Sequence, residues 1–182
     1  KASEIKARAP ALESRLGYRI GASFSLPRVL WYREESPQLY EQCRMFLHQA
    51  DYLLWRLSGE LVTDSTNALK AGYDHLAKEW PRELETCLGL SREKLPPVLA
   101  PGNVIGAILP EAAEELGLPP ETKIAAGATD AYAAVLAAGA VNPGDCVSVL
   151  GTTLVCKAVA GGRVLDPSGV GYPYPMPEDR WL

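Results

Sequence analysis

Residues 127–157 read GATDAYAAVLAAGAVNPGDCVSVLGTTLVCK, and the order of textures within them decides how the chain folds. Just before them, TKIAAGA is a short run with small residues that predicts a strand ending at residue 128. DAYAAVLAA predicts a helix, Gly139 its stop, and NPGD a tight turn. DCVSVL and TLVCKAVA are two apolar, β-branched runs joined through Gly151, Thr152 and Thr153, which is the pattern of a hairpin. A strand, a helix and a hairpin in succession make an α/β unit.

Two loops in this unit carry chemistry. Asp130 stands at the carboxyl end of the strand, where open α/β sheets bind ligands. Gly127 and Ala128 beside it let another molecule approach the backbone closely. A plain structural role explains the residue type equally well, since an acid at a helix start satisfies free N–H groups and complements the dipole. Thr129 would cap as well as Asp130, leaving the acid at the first helical position. Gly151, Thr152 and Thr153 offer a glycine able to take positive φ, converging N–H groups and two hydroxyls, which together suit an anion. A hairpin turn whose hydroxyls bond their own backbone would have the same residues. Taken together, a carboxylate and an anion cradle separated by a helix and a turn supply what phosphoryl transfer to an alcohol requires. One accepts the hydroxyl proton, and the other holds the migrating charge.

Working upstream, PEAAEELGL predicts a proline-initiated helix ended by Gly117, NVIGAIL a strand, and LPPVLAPG a proline-rich connection. WPRELETCLGL has a proline at a helix start and Leu84, Leu88 and Leu90 for an inner face. VTDSTNALKAGYD is polar and dense in capping residues, so it reads as a loop with one helical turn and few core positions. Asn67 in it has a structural role first and a ligand-cleft role as a hypothesis, and Lys70 and Tyr73 stand in the same position. MFLHQADYLLWRLSGE predicts a buried strand at Met45–His48, then a helix from Asp51 to Leu57 with Asp51 as cap and Gly59 as stop. In SLPRVLWYREESP, Ser25 is the expected N-cap and Pro27 sits in the first turn, with a second helix from Pro37 to Arg44. Trp31, Trp55 and Trp80 fall at helical positions and are expected as core or domain-interface anchors.

Bulk properties exclude several classes. The 182 residues carry a net charge of -4 with Lys and Arg scattered, so no basic stripe exists for nucleic acid. No apolar run approaches the ~20 residues that span a bilayer, and the first residues contain no signal-peptide apolar region. A soluble, cytoplasmic protein is expected. The four cysteines are far apart, which predicts free and mostly buried thiols, although Cys146 and Cys156 flank the hairpin and a cross-strand bridge is conceivable. With only His48 and His75, a histidine-based metal site is not expected, and His48 reads as a core or strand residue. Ser91-Arg92-Glu93-Lys94 fits S-x-x-K without its companion motifs and reads as a helix cap plus a surface lysine. No G-x-x-x-x-G-K-[ST] is present. The chain opens on Lys and stops just after GVGYPYPMPEDRWL, so a piece of a longer protein is expected.

The ordered series SLPRVLW, QADYLLWRLSG, TDSTNALKAGYD, LPPVLAPG, IGAILPEAAEELGLP and residues 127–157 resembles the FGGY carbohydrate kinases. Within that family it looks most like the ribulose kinase and xylulose kinase-like branch of cyanobacteria and plants. The resemblance implies a ribonuclease H-like (actin-like ATPase) fold with sugar and ATP in the cleft between two domains. Residues 1–118 would be the later part of the first domain, and residues 119–182 the start of the second. It places Asp130 on the catalytic base, and Gly151, Thr152 and Thr153 on a loop that holds the β- and γ-phosphates. ATP and Mg2+ are the implied cofactors, and a ketopentose, D-ribulose before D-xylulose, is the implied substrate. The family's Asp-x-Gly-Thr phosphate loop, which helps place Mg2+, and its Gly-Gly adenosine segment are not in these residues. The 182 residues alone are therefore expected not to turn over, and a catalytically incomplete truncated or regulatory sugar-binding form is the alternative. Exposed strand edges would favour aggregation or a homodimer.

Overall fold

The computed structural model describes every residue except Thr153 and Val170. Prolines set the helix starts in the first third. Helix α1 (Ala2–Arg8) ends before Pro10, which opens α2 (Pro10–Leu16) at a position whose N–H would be surplus in any case. Helix α3 (Ser25–Glu35) begins one residue earlier than a Ser25 cap would require, and Phe24 holds the cap position. Helix α4 (Pro37–Gln42) again starts on a proline. Ile5, Leu12, Leu16, Leu26 and Leu30 are fully buried where these helices meet.

The next segment departs from its sequence reading. Met45–His48 is not a strand, although the Phe46 N–H does donate to the Lys94 carbonyl at 2.8 Å. Helix α5 (Gln49–Ser58) begins at Gln49, so Asp51 lies inside its first turn and does not precede it. From there Asp51 Oδ2 accepts the His48 N–H at 2.9 Å, the reach-back half of a capping box. The His48 ring lies 3.2 Å from Asp51 Oδ2 through Nδ1 and 3.0 Å from Ser25 Oγ through Nε2, which fastens the start of α5 to the start of α3. Gly59 ends the helix at φ 78°, as its position predicts.

The polar stretch after α5 is the largest correction. It forms strand β1 (Thr63–Asp64), the short helix α6 (Ser65–Ala68) and a 3-10 turn (Leu69–Ala71). Thr63, Asp64, Thr66, Ala68 and Leu69 are all buried; the Asp64 and Thr66 side chains find hydrogen-bond partners inside the fold, whereas Thr63 Oγ1 has none among the described residues. Helix α7 (Glu83–Thr86) follows, and Leu84, Leu88 and Leu90 turn inward as their spacing suggests. Strand β2 (Val98–Leu99) pairs in parallel with β1, Asp64 opposite Leu99. Strand β3 (Val104–Ala107), helix α8 (Pro110–Leu116) and strand β4 (Lys123–Ala125) make a second unit, with β3 and β4 antiparallel. Helix α9 (Asp130–Ala137) leads to the hairpin of β5 (Cys146–Leu150) and β6 (Leu154–Ala158), Leu150 opposite Leu154.

Tyr132 and Val135 of α9, Ala140, Val159, Tyr174 and Met176 join the core made by the early helices. A smaller cluster of Ile108, Ala112, Ala113 and Ile124 seals α8 against β4. Trp31 and Trp55 are exposed and are not core anchors, whereas half-buried Trp80 donates its indole N–H to the Pro96 carbonyl at 3.0 Å. All four cysteines are free, and Cys146 and Cys156 are exposed, contrary to the expectation of buried thiols. They are also out of register for a bridge, since Cys156 faces Ser148 and Cys146 faces Ala158. Lys94 is held by the Glu41 and Cys43 carbonyls at 3.1 and 2.6 Å and is not a free surface lysine. No helix among the described residues is long and apolar enough to cross a membrane.

Candidate active site

The end of β4 is fixed by two backbone bonds. The Ala126 N–H donates to Asn103 O and the Gly102 N–H to Ala126 O, both at 2.8 Å. Beyond it, extended Thr129 (φ -64°, ψ 149°) holds the cap position of α9, and its side chain makes no cap bond. What fixes Thr129 lies far away in sequence: its N–H donates to Thr66 Oγ1 at 2.8 Å. Asp130 is then the first residue of α9 and is exposed, and among the described residues its Oδ1 accepts only the adjacent Ala131 N–H, at 2.7 Å. The acid therefore occupies the first helical position, and Thr129 takes the cap position.

Asp130 lines a cavity of about 570 Å³ together with Val149, Val155 and Lys157 of the hairpin and Tyr172 and Tyr174 beyond it. Lys157 was not anticipated. Its only sequence signal is a single basic residue inside an apolar strand run. It is half-buried, and its ammonium donates to the Ala131 carbonyl in the first turn of α9. Burial holds its pKa below the ordinary lysine value, while the Asp130 charge pulls it back up. Burial likewise raises the Tyr174 phenol, with the neighbouring Tyr172 and Asp130 charges adding to the effect.

Gly151 and Thr152 sit exposed at the hairpin tip, separated from Val149 and Val155 by the Leu150–Leu154 pair, and are not part of the cavity wall. Thr153 lies outside the described residues. Gly151 does not take positive φ, contrary to expectation, and a Cβ built on it would meet nothing within 4 Å. The same holds for Gly127 beside Asp130. Neither glycine is demanded by backbone conformation or by packing within the described residues; each leaves open approach to its main chain.

Asn67 is half-buried and donates its side-chain amide to Asp64 Oδ2 at 2.6 Å. Lys70 lies between the Phe24 and Tyr172 rings, 4.2 and 3.7 Å from their centroids, and so touches the wall of the Asp130 cavity. Tyr73 packs edge-on against Trp80 instead, with centroids 5.1 Å apart. Among the described residues no group of three or more His, Cys, Asp or Glu could hold a metal ion.

The chain as a whole has counterparts among known proteins. Residues 2–137 match the FGGY family of carbohydrate kinases, N-terminal domain, and the chain belongs to that family. It is 30% identical over 152 residues to the xylulose kinase of Bacillus subtilis, covering 83% of this chain and 30% of that protein. It is 32% identical over 170 residues to the ribulokinase of Geobacillus thermodenitrificans, covering 87% of this chain and 29% of that one. The solved structure of ligand-bound xylulose kinase from Lactobacillus acidophilus aligns with 99% of this chain and 37% of its own, at a TM-score of 0.88 and 26% identity. The fold is accordingly the ribonuclease H-like, actin-like one. The chain spans about 30% of the length of the curated relatives it matches.

Proposed function

We propose that these residues form part of an ATP-dependent sugar kinase that transfers the γ-phosphate to a hydroxyl of a ketopentose, with Asp130 as general base. The observation that carries this reading is the single carboxylate of Asp130 in a cavity walled by Val149 and Val155, the pair next to the Leu150–Leu154 pair that flanks the Gly151–Thr152 tip. A general base must reach the proton it removes, and Asp130 is exposed, with only the adjacent Ala131 N–H bound to it among the described residues. Gly151 and Gly127, unconstrained by their surroundings, support the approach of a phosphate and of a sugar to those two backbones. Gly151, Thr152 and Thr153 would hold the β- and γ-phosphates of ATP, which supplies the phosphoryl group. Asn67 would contact the sugar. D-ribulose is the leading substrate and D-xylulose the second. Among the described residues no group of three or more His, Cys, Asp or Glu is placed to hold a metal ion, so a Mg2+ here would be carried chiefly by the ATP phosphates.

Work of this kind is divided between positioning and charge stabilisation. Asp130 takes the hydroxyl proton as the sugar oxygen attacks the γ-phosphorus and the bond from that phosphorus to the bridging oxygen breaks, releasing ADP, while the half-buried ammonium of Lys157 stands at the same cavity. A catalytically incomplete, sugar-binding form is the second reading, favoured by the position of Gly151 and Thr152 outside the wall of the Asp130 cavity. The test is a sugar panel with ATP on the full-length protein carrying this sequence, with Thr152→Val in parallel. Phosphorylation of D-ribulose ahead of other sugars is expected, as is a rise of about tenfold in the ATP KM of Thr152→Val with little change for the sugar. Sugar binding without phosphorylation of any sugar would favour the second reading. An unchanged ATP KM would remove the phosphate-loop assignment.

A further inference from the structure

The buried pair Asp64 and Thr66 belongs to neither loop read as chemical, yet it is bonded directly to the residue before Asp130. Asp64 is completely buried, at the end of β1. Its Oδ1 accepts the Thr66 N–H at 2.8 Å, the Asn67 N–H at 3.0 Å and the Thr66 hydroxyl at 2.5 Å, and its Oδ2 accepts the Asn67 amide at 2.6 Å. Thr66, equally buried, then accepts the Thr129 N–H at 2.8 Å.

The direction of this relay is forced. A backbone N–H can only donate, so the Thr66 oxygen must be the acceptor towards Thr129. Its single proton is then given to Asp64, whose carboxylate only accepts. Bonds to a charged acceptor are short and strong, and a hydroxyl that donates to a carboxylate becomes the better acceptor for its other partner. Because the Thr129 side chain makes no cap bond, the start of α9 is set from outside the helix, by a residue 63 positions earlier in the chain.

We propose that Thr66, held by Asp64, is a positioning residue that fixes the direction in which Asp130 leaves the helix start, and so the rate of the proton transfer assigned to it. This rests on the reading of Asp130 as general base. A displacement of about 1 Å in a reacting group can lower a rate about 100-fold. Thr66→Val keeps the shape and removes the hydroxyl, leaving the Thr129 N–H unpaired, whereas Thr66→Ser keeps the relay.

The experiment compares wild type, Thr66→Val, Thr66→Ser and Asp130→Asn in the full-length protein with ATP and D-ribulose, or whichever sugar the panel selects. Hydrogen exchange of the Thr129 amide is followed alongside. Thr66→Val should lose kcat by about 10- to 100-fold with both KM values changed less than about threefold. Thr66→Ser should recover kcat to within about threefold, and the Thr129 amide should exchange fast only in Thr66→Val. Wild-type kcat in Thr66→Val, or an equal loss in Thr66→Val and Thr66→Ser, overturns the positioning role while an inactive Asp130→Asn leaves the base in place. A fully active Asp130→Asn overturns the base reading and the positioning role with it. If Thr66→Val does not fold, an unprotected Thr129 amide in the wild type is by itself enough to overturn the proposal.

Discussion

His75 shows how much one residue's surroundings matter. Its Nε2 is buried without a partner, its ring meets Tyr73 edge-on at 5.5 Å, and burial pushes its pKa down to about 4, with the Arg163 charge adding to the effect. An unfolded chain takes up this proton near pH 6.5, the folded one only near 4, so in between the unfolded state binds more protons. Stability from His75 is therefore complete above about 6.5 and is lost as pH falls towards 4, by roughly 2 kcal/mol between pH 7 and 5. With two histidines in the sequence, NMR resolves the titration directly. The His75 ring signal should stay at its neutral position down to about pH 5, and a midpoint near 6.5 would contradict the burial argument. Asp130 illustrates the opposite case. Its type and position were legible, but whether it capped the helix or faced a cavity depended on Thr129 taking the cap position. Lys157 and Thr66 left almost no trace, because their partners are Ala131 and Thr129, far away in sequence.

Elements built from local signals were readable. Pro37 and Pro110 start α4 and α8, Gly59 and Gly117 follow the ends of α5 and α8, and the two β-branched runs around Gly151 form a hairpin. Elements that depend on distant pairing were not. β1 and β2 are two residues each and meet from opposite ends of a stretch of more than thirty residues, too short for periodicity to register. TDSTN looked like solvent-facing loop because its composition is polar; it is buried because Asp64 gathers four hydrogen bonds around itself. Met45–His48 had the apolar composition of a strand but no partner strand, and the capping box of α5 drew the helix start to Gln49.

At the scale of the molecule, the apolar surface stands out. Among the described residues the hairpin strands pair only with each other, and Leu150 and Leu154 at its tip are 84% and 62% exposed. Leu39, Tyr52 and Leu53 are exposed beside a groove of about 870 Å³ between α3, α4 and α5. Open strand edges and apolar faces of this kind drive self-association. The 182-residue chain expressed alone should show concentration-dependent association in sedimentation experiments. A monomer that melts in one cooperative transition would contradict this. The family and the α/β class were legible because the motif order survives along the whole chain, while the burial of its polar middle was not.

The central claim, that the acid at the head of α9 removes a proton from a sugar hydroxyl, is tested most directly by one rate. That rate is single-turnover phosphoryl transfer in Asp130→Asn of the full-length protein, with ATP and sugar both saturating. The account predicts a fall of about 10²- to 10⁴-fold with binding of both ligands retained. Transfer at close to the wild-type rate would contradict it.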